Sequence, residues 1–147
     1  MATLKVKLQE DIILDNQDYG SKRSFEIGRI ANITKKIVTI ASDDDATVLV
    51  FKSTTASADG ALDLQTVKYI RITNLDSSNS VNVSLQLDSG EDNSAADLSI
   101  THLVEAGRSF LMGAPDEGVH ADDDAASIVT SLTDLESIIV DPGSNSG

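Results

Sequence analysis

The sequence predicts an all-β protein, a single-domain antiparallel β-sandwich of jelly-roll-like topology over residues 1–140. Three observations carry that reading. Short segments alternate apolar and polar side chains residue by residue, the period of a strand with one buried and one wet face. β-branched residues dominate those segments. Clusters of Asp, Ser, Asn and Gly punctuate them, and eight or more short strands with long polar crossings suit two sheets packed face to face. The 147 residues suffice for one core burying roughly two-thirds of the unfolded chain's surface. With no cysteine and no tryptophan, that core is built from Ile, Leu, Val and Ala, with Phe25, Phe51, Phe110, Tyr19 and Tyr69 as the large fillers. No repeat at a fixed period points to a propeller or solenoid.

In chain order, Leu4, Val6 and Leu8 alternate with Lys5 and Lys7, and Ile12 to Leu14 continue the apolar signal. They read as one long strand with a bulge or as two short ones. Residues 16–21 (NQDYGS) are turn chemistry, and Phe25, Ile27 and Ile30 begin the next strand, with Gly28 marking a bulge. Residues 36–41 (KIVTIA) and 47–52 (TVLVFK) flank Ser42-Asp43-Asp44-Asp45 and predict a hairpin. Residues 53–63 are small and polar and predict a loop crossing between sheets. The clearest alternation follows: residues 67–75 (VKYIRITNL) and 80–87 (SVNVSLQL), separated by Asp76-Ser77-Ser78-Asn79, predict a central antiparallel hairpin. A polar loop over 88–94 leads to a strand at 98–104 (LSITHLV), a tight turn at Glu105-Ala106-Gly107-Arg108 and a strand at 109–112 (SFLM). Residues 122–135 offer the one helical candidate, capped by Asp122, but its Ser, Thr and Val content favours strand or irregular structure. Apolar runs at 126–130 and 135–140 close the domain, and 141–147 (DPGSNSG) is expected to be a mobile tail.

Charge constrains the partners. The chain carries 24 acidic and 11 basic residues, net −13, and such a field repels phosphate backbones. The basic pairs Lys22-Arg23 and Lys35-Lys36 lack interleaved aromatics and read as solvated turns or edge-strand guards. No nucleic-acid partner is expected. No stretch has the apolar length of a membrane span and the amino terminus lacks the apolar core of a secretory signal, so a soluble, cytosolically made protein is expected, with no membrane partner.

No catalytic, cofactor or metal site is predicted. The chain has two histidines, His102 and His120, and no GxSxG elbow, HExxH spacing or Gly-rich phosphate cradle accompanies them. His102 reads as a surface or partly packed strand residue, and His120 sits in an acidic loop where it could titrate near neutral pH. Asp43-Asp44-Asp45 and Asp122-Asp123-Asp124 have the oxygen chemistry of calcium ligands. Consecutive aspartates in extended chain point to opposite sides, however, and solvated loop tips are the simpler account.

The stretch from Val67 to Met112 resembles the β-sandwich virion proteins of tailed bacteriophages, especially the small capsid decoration or cement proteins. Ile72-Thr73-Asn74 fills the place of their Ile-x-Asn corner, and Ala106-Gly107-Arg108-Ser109-Phe110 that of their turn into the following strand. The likeness covers about a third of the chain. It implies a structural, non-enzymatic virion component on the capsid exterior, made in the host cytoplasm. Its partners would be the major capsid protein and its own copies, as a homo-oligomer or a symmetric array around the lattice axes. The terminal strands, residues 4–14 and 135–140, are then the natural elements to anchor on or exchange with neighbours. A head-tail connector, tail or fibre subunit is the alternative within virions, and a calcium- or carbohydrate-binding module the alternative outside them.

Overall fold

The computed structural model describes residues 1–52, 61–87, 98–113 and 135–143. The protein is all-β: eleven strands and one 3-10 turn, Leu64–Thr66, and no α-helix among the described residues. No helix there is long and apolar enough to cross a membrane. Contacts divide the chain into two compact units, Met1–Ile37 and Val38–Gly147, where the sequence reading takes residues 1–140 together. Each unit is described by itself.

The first unit is a ribbon. Strand β1 (Ala2–Glu10) pairs antiparallel with β4 (Ser21–Ile30), and between them β2 (Ile13–Leu14) and β3 (Gln17–Asp18) form a small hairpin of their own. The residues expected as a plain turn, 16–21, therefore contain β3, paired with the apolar run at 13–14. The hairpin's two-residue loop, Asp15 and Asn16, has both residues at positive φ, 50° and 63°, the conformation a type I′ hairpin requires and Asn and Asp tolerate. Gly20 closes the entry to β4: a Cβ there would press into the carbonyl oxygen of Glu10, so only glycine lets the two backbones approach. The expected bulge lies beside Gly28, where the register shifts between the Leu4↔Ile27 and Ala2↔Ile30 pairs and Arg29 takes φ 59°.

The second unit has two groups of strands around one core. A five-stranded sheet runs β6 (Leu62–Asp63), β5 (Ala46–Lys52), β11 (Leu135–Asp141), β8 (Val81–Leu87), β9 (Leu98–Val104), and a separate ribbon pairs β7 (Tyr69–Thr73) with β10 (Ser109–Gly113). All these pairs are antiparallel except β5 with β6, which makes the large sheet mixed rather than purely antiparallel as expected. Val83, Leu85 and Leu87 point to one face of β8, and the facing set on β11 is Leu135, Ile138 and Val140. That spacing departs from strict alternation because Glu136 is bulged, which lets Ile138 rejoin the apolar face. Ile70 of the ribbon belongs to the same buried cluster, and Ile72, Phe110 and Met112 pack against it. The other face of β8 is polar: Gln86 Nε2 donates to Ser84 Oγ at 2.7 Å, and Thr101 Oγ1 on β9 donates to the same oxygen at 3.1 Å.

Two expected hairpins are absent, and both corrections teach the same point. Residues 67–75 and 80–87 do supply strands, but β7 pairs with β10, and β8 with β9 and β11, so the two never pair with each other. The expected partner of 47–52 makes no ladder, since residues 31–40 contain no strand; β5 pairs instead with β11 and β6. Ile40 still packs on the core. Alternation fixes which side chains share a face, while the hydrogen-bonding partner is set by where each face finds cover. The terminal run 135–140 forms β11, which is paired on both edges, with β5 and with β8. Asp141 belongs to that strand, and residues 144–147 of the expected tail lie outside the described residues. So do the run at 126–130 and nearly all of the helical candidate over 122–135, of which only Leu135 is described, as the start of β11.

Candidate functional site

Strands β7, β8, β9 and β10 form one long hairpin folded over on itself: β8 and β9 are its inner arms, β7 and β10 its outer arms. At the fold, residues 74–80 of one arm face the shorter stretch 105–108 of the other. Asn74, 6 % exposed, is the one buried polar residue among those described, and it ties the corner together. Its Nδ2 donates to the carbonyls of Asn79 at 2.8 Å and Val104 at 3.1 Å, its Oδ1 accepts from Asp76 N at 3.0 Å, and its own N–H donates to Arg108 O at 3.0 Å. Asp76 repeats the device outside, its Oδ1 accepting from Ser78 N at 2.7 Å and Asn79 N at 2.8 Å. The N–H groups of Asn79 and then Ser78 hold the Asp76 carboxyl below the ordinary carboxylate range. On the opposite arm Arg108 N donates to Glu105 O at 3.0 Å, with Gly107 at φ 69° supplying the left-handed residue that such a turn needs. Ile72-Thr73-Asn74 and Ala106-Gly107-Arg108-Ser109-Phe110 thus meet at a single corner, where Thr73 and Ser109 hydroxyls lie 2.9 Å apart. The hydrogen bonds of Asn74 and Asp76 all run within the corner, which makes it a brace.

The histidine and aspartate candidates are spread apart. His102 lies opposite Val83 on β9 and stacks on Phe110 with ring centroids 5.3 Å apart; it has no carboxylate partner among the described residues. It is an exposed residue of the sheet's edge strand β9. Asp43, Asp44 and Asp45 line an open hollow of about 400 Å³ with Asp141 and Gly143. Two hydrogen bonds shape it: Asp43 N donates to Gly143 O at 3.2 Å, and Gly143 N donates to the side-chain Oδ1 of Asp141 at 2.6 Å. No group of three His, Cys, Asp or Glu side chains among the described residues is placed to hold a metal ion. His120 and Asp122-Asp123-Asp124 lie outside the described residues.

The feature that sequence reading missed is the ribbon's surface. Directly opposed residues share a face, so the register puts Leu4, Val6, Leu8, Phe25 and Ile27 together on one side and Lys5, Lys7, Lys22 and Glu26 on the other. The Lys5 Nζ to Glu26 Oε1 ion pair, 2.7 Å, crosses the polar side. Lys22 and Arg23 lie opposite Gln9 and Leu8 in this ladder, whereas Lys35 and Lys36 follow it outside any strand. The apolar side is not buried. Nine of the fourteen large apolar side chains that are exposed among the described residues belong to Met1–Ile37, Ile13 at 78 % and Phe25 at 47 % among them. The charge is divided along the same boundary. Residues 1–37 hold seven basic and five acidic side chains, net +2, and residues 38–147 hold four basic and nineteen acidic, net −15. Counting charge by segment rather than over the whole chain would have shown this from the sequence.

The amphipathic ribbon, with an open apolar face and a charge opposite in sign to the rest of the chain, is the candidate interaction surface. No family model matches the chain, and no curated protein and no solved structure matches it.

Proposed function

We propose that this protein is a structural virion component, a capsid decoration protein that binds and stabilises the major capsid protein lattice of a tailed phage, with its second unit a jelly-roll-like β-sandwich. The observation that carries the reading is the folded-over hairpin of residues 67–112. The two motifs that resemble phage decoration proteins, at 72–74 and 106–110, brace one corner of it. The ribbon supports the same reading from another side, since an open apolar strand pair in a chain whose core is braced separately suits adhesion to a larger surface. A body with net −15 suits the outer face of a shell, away from packaged DNA. Weak contacts repeated around symmetry axes would supply avidity without any single strong interface.

Cryo-electron microscopy of purified particles, with the copy number counted, tests the proposal. A lattice decorator is present on the order of hundreds of copies, whereas a connector ring carries about six or twelve. Particles lacking stoichiometric copies would exclude a decorating role, and a ring at one vertex would make it a connector or tail subunit instead.

A further inference from the structure

We infer that the ribbon of residues 1–37 docks on the acidic unit, residues 38–147, of a second copy of this chain. The inference does not rest on a capsid role. A two-stranded ribbon is marginal in water unless a third element covers its apolar face, and here Leu8, Phe25, Ile12, Ile13 and Leu14 are all exposed. The occupant is argued from charge. The ribbon's net +2 meets −15 on the other unit, and Arg23 stands opposite Leu8, on the apolar side of the ribbon, with no acidic partner among the described residues. Two ribbons face to face would bring like charges together, so a ribbon-to-body contact is the favoured geometry. Such a contact joins unlike surfaces of identical chains, and copies related in that way close into a ring or continue as an open chain. The mixture of apolar and ionic contact makes the association salt-sensitive while leaving a salt-resistant remainder.

The experiment uses the full chain. Equal amounts of ¹⁴N- and ¹⁵N-labelled protein are mixed at low salt and treated with a carbodiimide, which joins lysine amines to carboxylates in direct contact. Cross-linked peptides are then read by mass, beside sedimentation velocity across protein and salt concentration. Mixed-isotope links from lysines of residues 1–37 to carboxylates within 38–147 are the expected result, with an oligomer that weakens at high salt. Links of a single isotope with a monomer at all concentrations would overturn the inference, as would ribbon-to-ribbon association unaffected by salt. The double variant Lys22→Glu, Arg23→Glu changes only exposed side chains, so its fold is expected to persist. It should weaken association by roughly tenfold or more at low salt, and an unchanged affinity would overturn the inference even where links are seen.

Discussion

β1 and β8 alternate with the same regularity, Leu4, Val6 and Leu8 in one and Val83, Leu85 and Leu87 in the other. The second set is 3 % exposed or less, while Leu8 alone in the first is 47 % exposed. The difference lies in what flanks them. β8 is hydrogen-bonded on both edges, to β9 and β11, and its apolar face meets Ile70 of the β7/β10 ribbon across the core. β1 has one hydrogen-bonded neighbour, and of its apolar residues Leu4 and Val6 are half-buried and Leu8 exposed. Alternation is a promise of a covered face, and in β1 it is only half kept. That contrast is a physical reason to look for the cover in another molecule.

The contrast is most easily broken by truncation. Ile138 is fully buried in the middle strand of the sheet, and Ile138→Ala should cost about 2–5 kcal/mol by lost burial and the cavity left behind. Phe25→Ala removes a larger side chain from the ribbon, yet under monomeric conditions it should cost well under about 1 kcal/mol, because half of that ring already faces water. Urea unfolding of both variants at low protein concentration checks this. Equal losses would mean that the ribbon's apolar face is covered within one chain.

Next in size is the corner. Asn74→Ala removes three side-chain hydrogen bonds and strands the buried carbonyl of Val104, which should cost about 1–3 kcal/mol. Asn74→Asp is the sharper variant. It keeps the acceptor for Asp76 N–H but aims a carboxylate oxygen at the carbonyls of Asn79 and Val104 in place of a donor, so at neutral pH it should destabilise at least as much as alanine. An aspartate variant as stable as wild type would show that the amide's donor half does not hold the corner.

These two sites also show what the sequence makes legible. The all-β class was visible because Val83, Leu85 and Leu87 repeat at the strand period, and the bounds of β9 and the turn at Gly107 followed from the same chemistry. Partnership was not visible. Asp76-Ser77-Ser78-Asn79 has hairpin composition, but Asn74 and Asp76 use it to turn the chain out of one sheet and into another. A short polar link between two alternating runs fits either outcome, since an Asx turn reverses or redirects a chain with the same residues. Residues 36–41 failed for a related reason: β-branched composition fits an extended chain, and β5 found better-covered partners in β11 and β6. At the ribbon, whole-chain net charge concealed a segment of opposite sign.

Acid should act on the corner before the sheet. The Asp76 carboxyl is held below its ordinary value in the folded protein by the Asn79 and Ser78 N–H groups. A carboxyl depressed in this way contributes stability that is fully present above its unfolded value, about 3.9, and is lost as pH falls through the lower folded value. The protection of the Ser78 and Asn79 amides against hydrogen exchange, taken relative to the intrinsic rate at each pH, should therefore fall below about pH 4. In Asp76→Asn that pH dependence should disappear, because the replaced side chain no longer titrates. Protection that declines identically in both proteins would place the acid sensitivity elsewhere among the nineteen carboxylates of residues 38–147.

The smallest effect expected belongs to the ribbon's ion pair. Lys5 and Glu26 lie directly opposite each other at 2.7 Å, but both side chains are 57 % exposed, where solvent screening and the cost of ordering two long side chains leave about 0.5 kcal/mol at most. Lys5→Ala should accordingly leave the unfolding of Val38–Gly147 unchanged and alter only amide protection in β1 and β4. If it instead loosened association between copies, Lys5 would belong to the docking surface. The polar side of the ribbon, and not the apolar side alone, would then face the neighbouring chain.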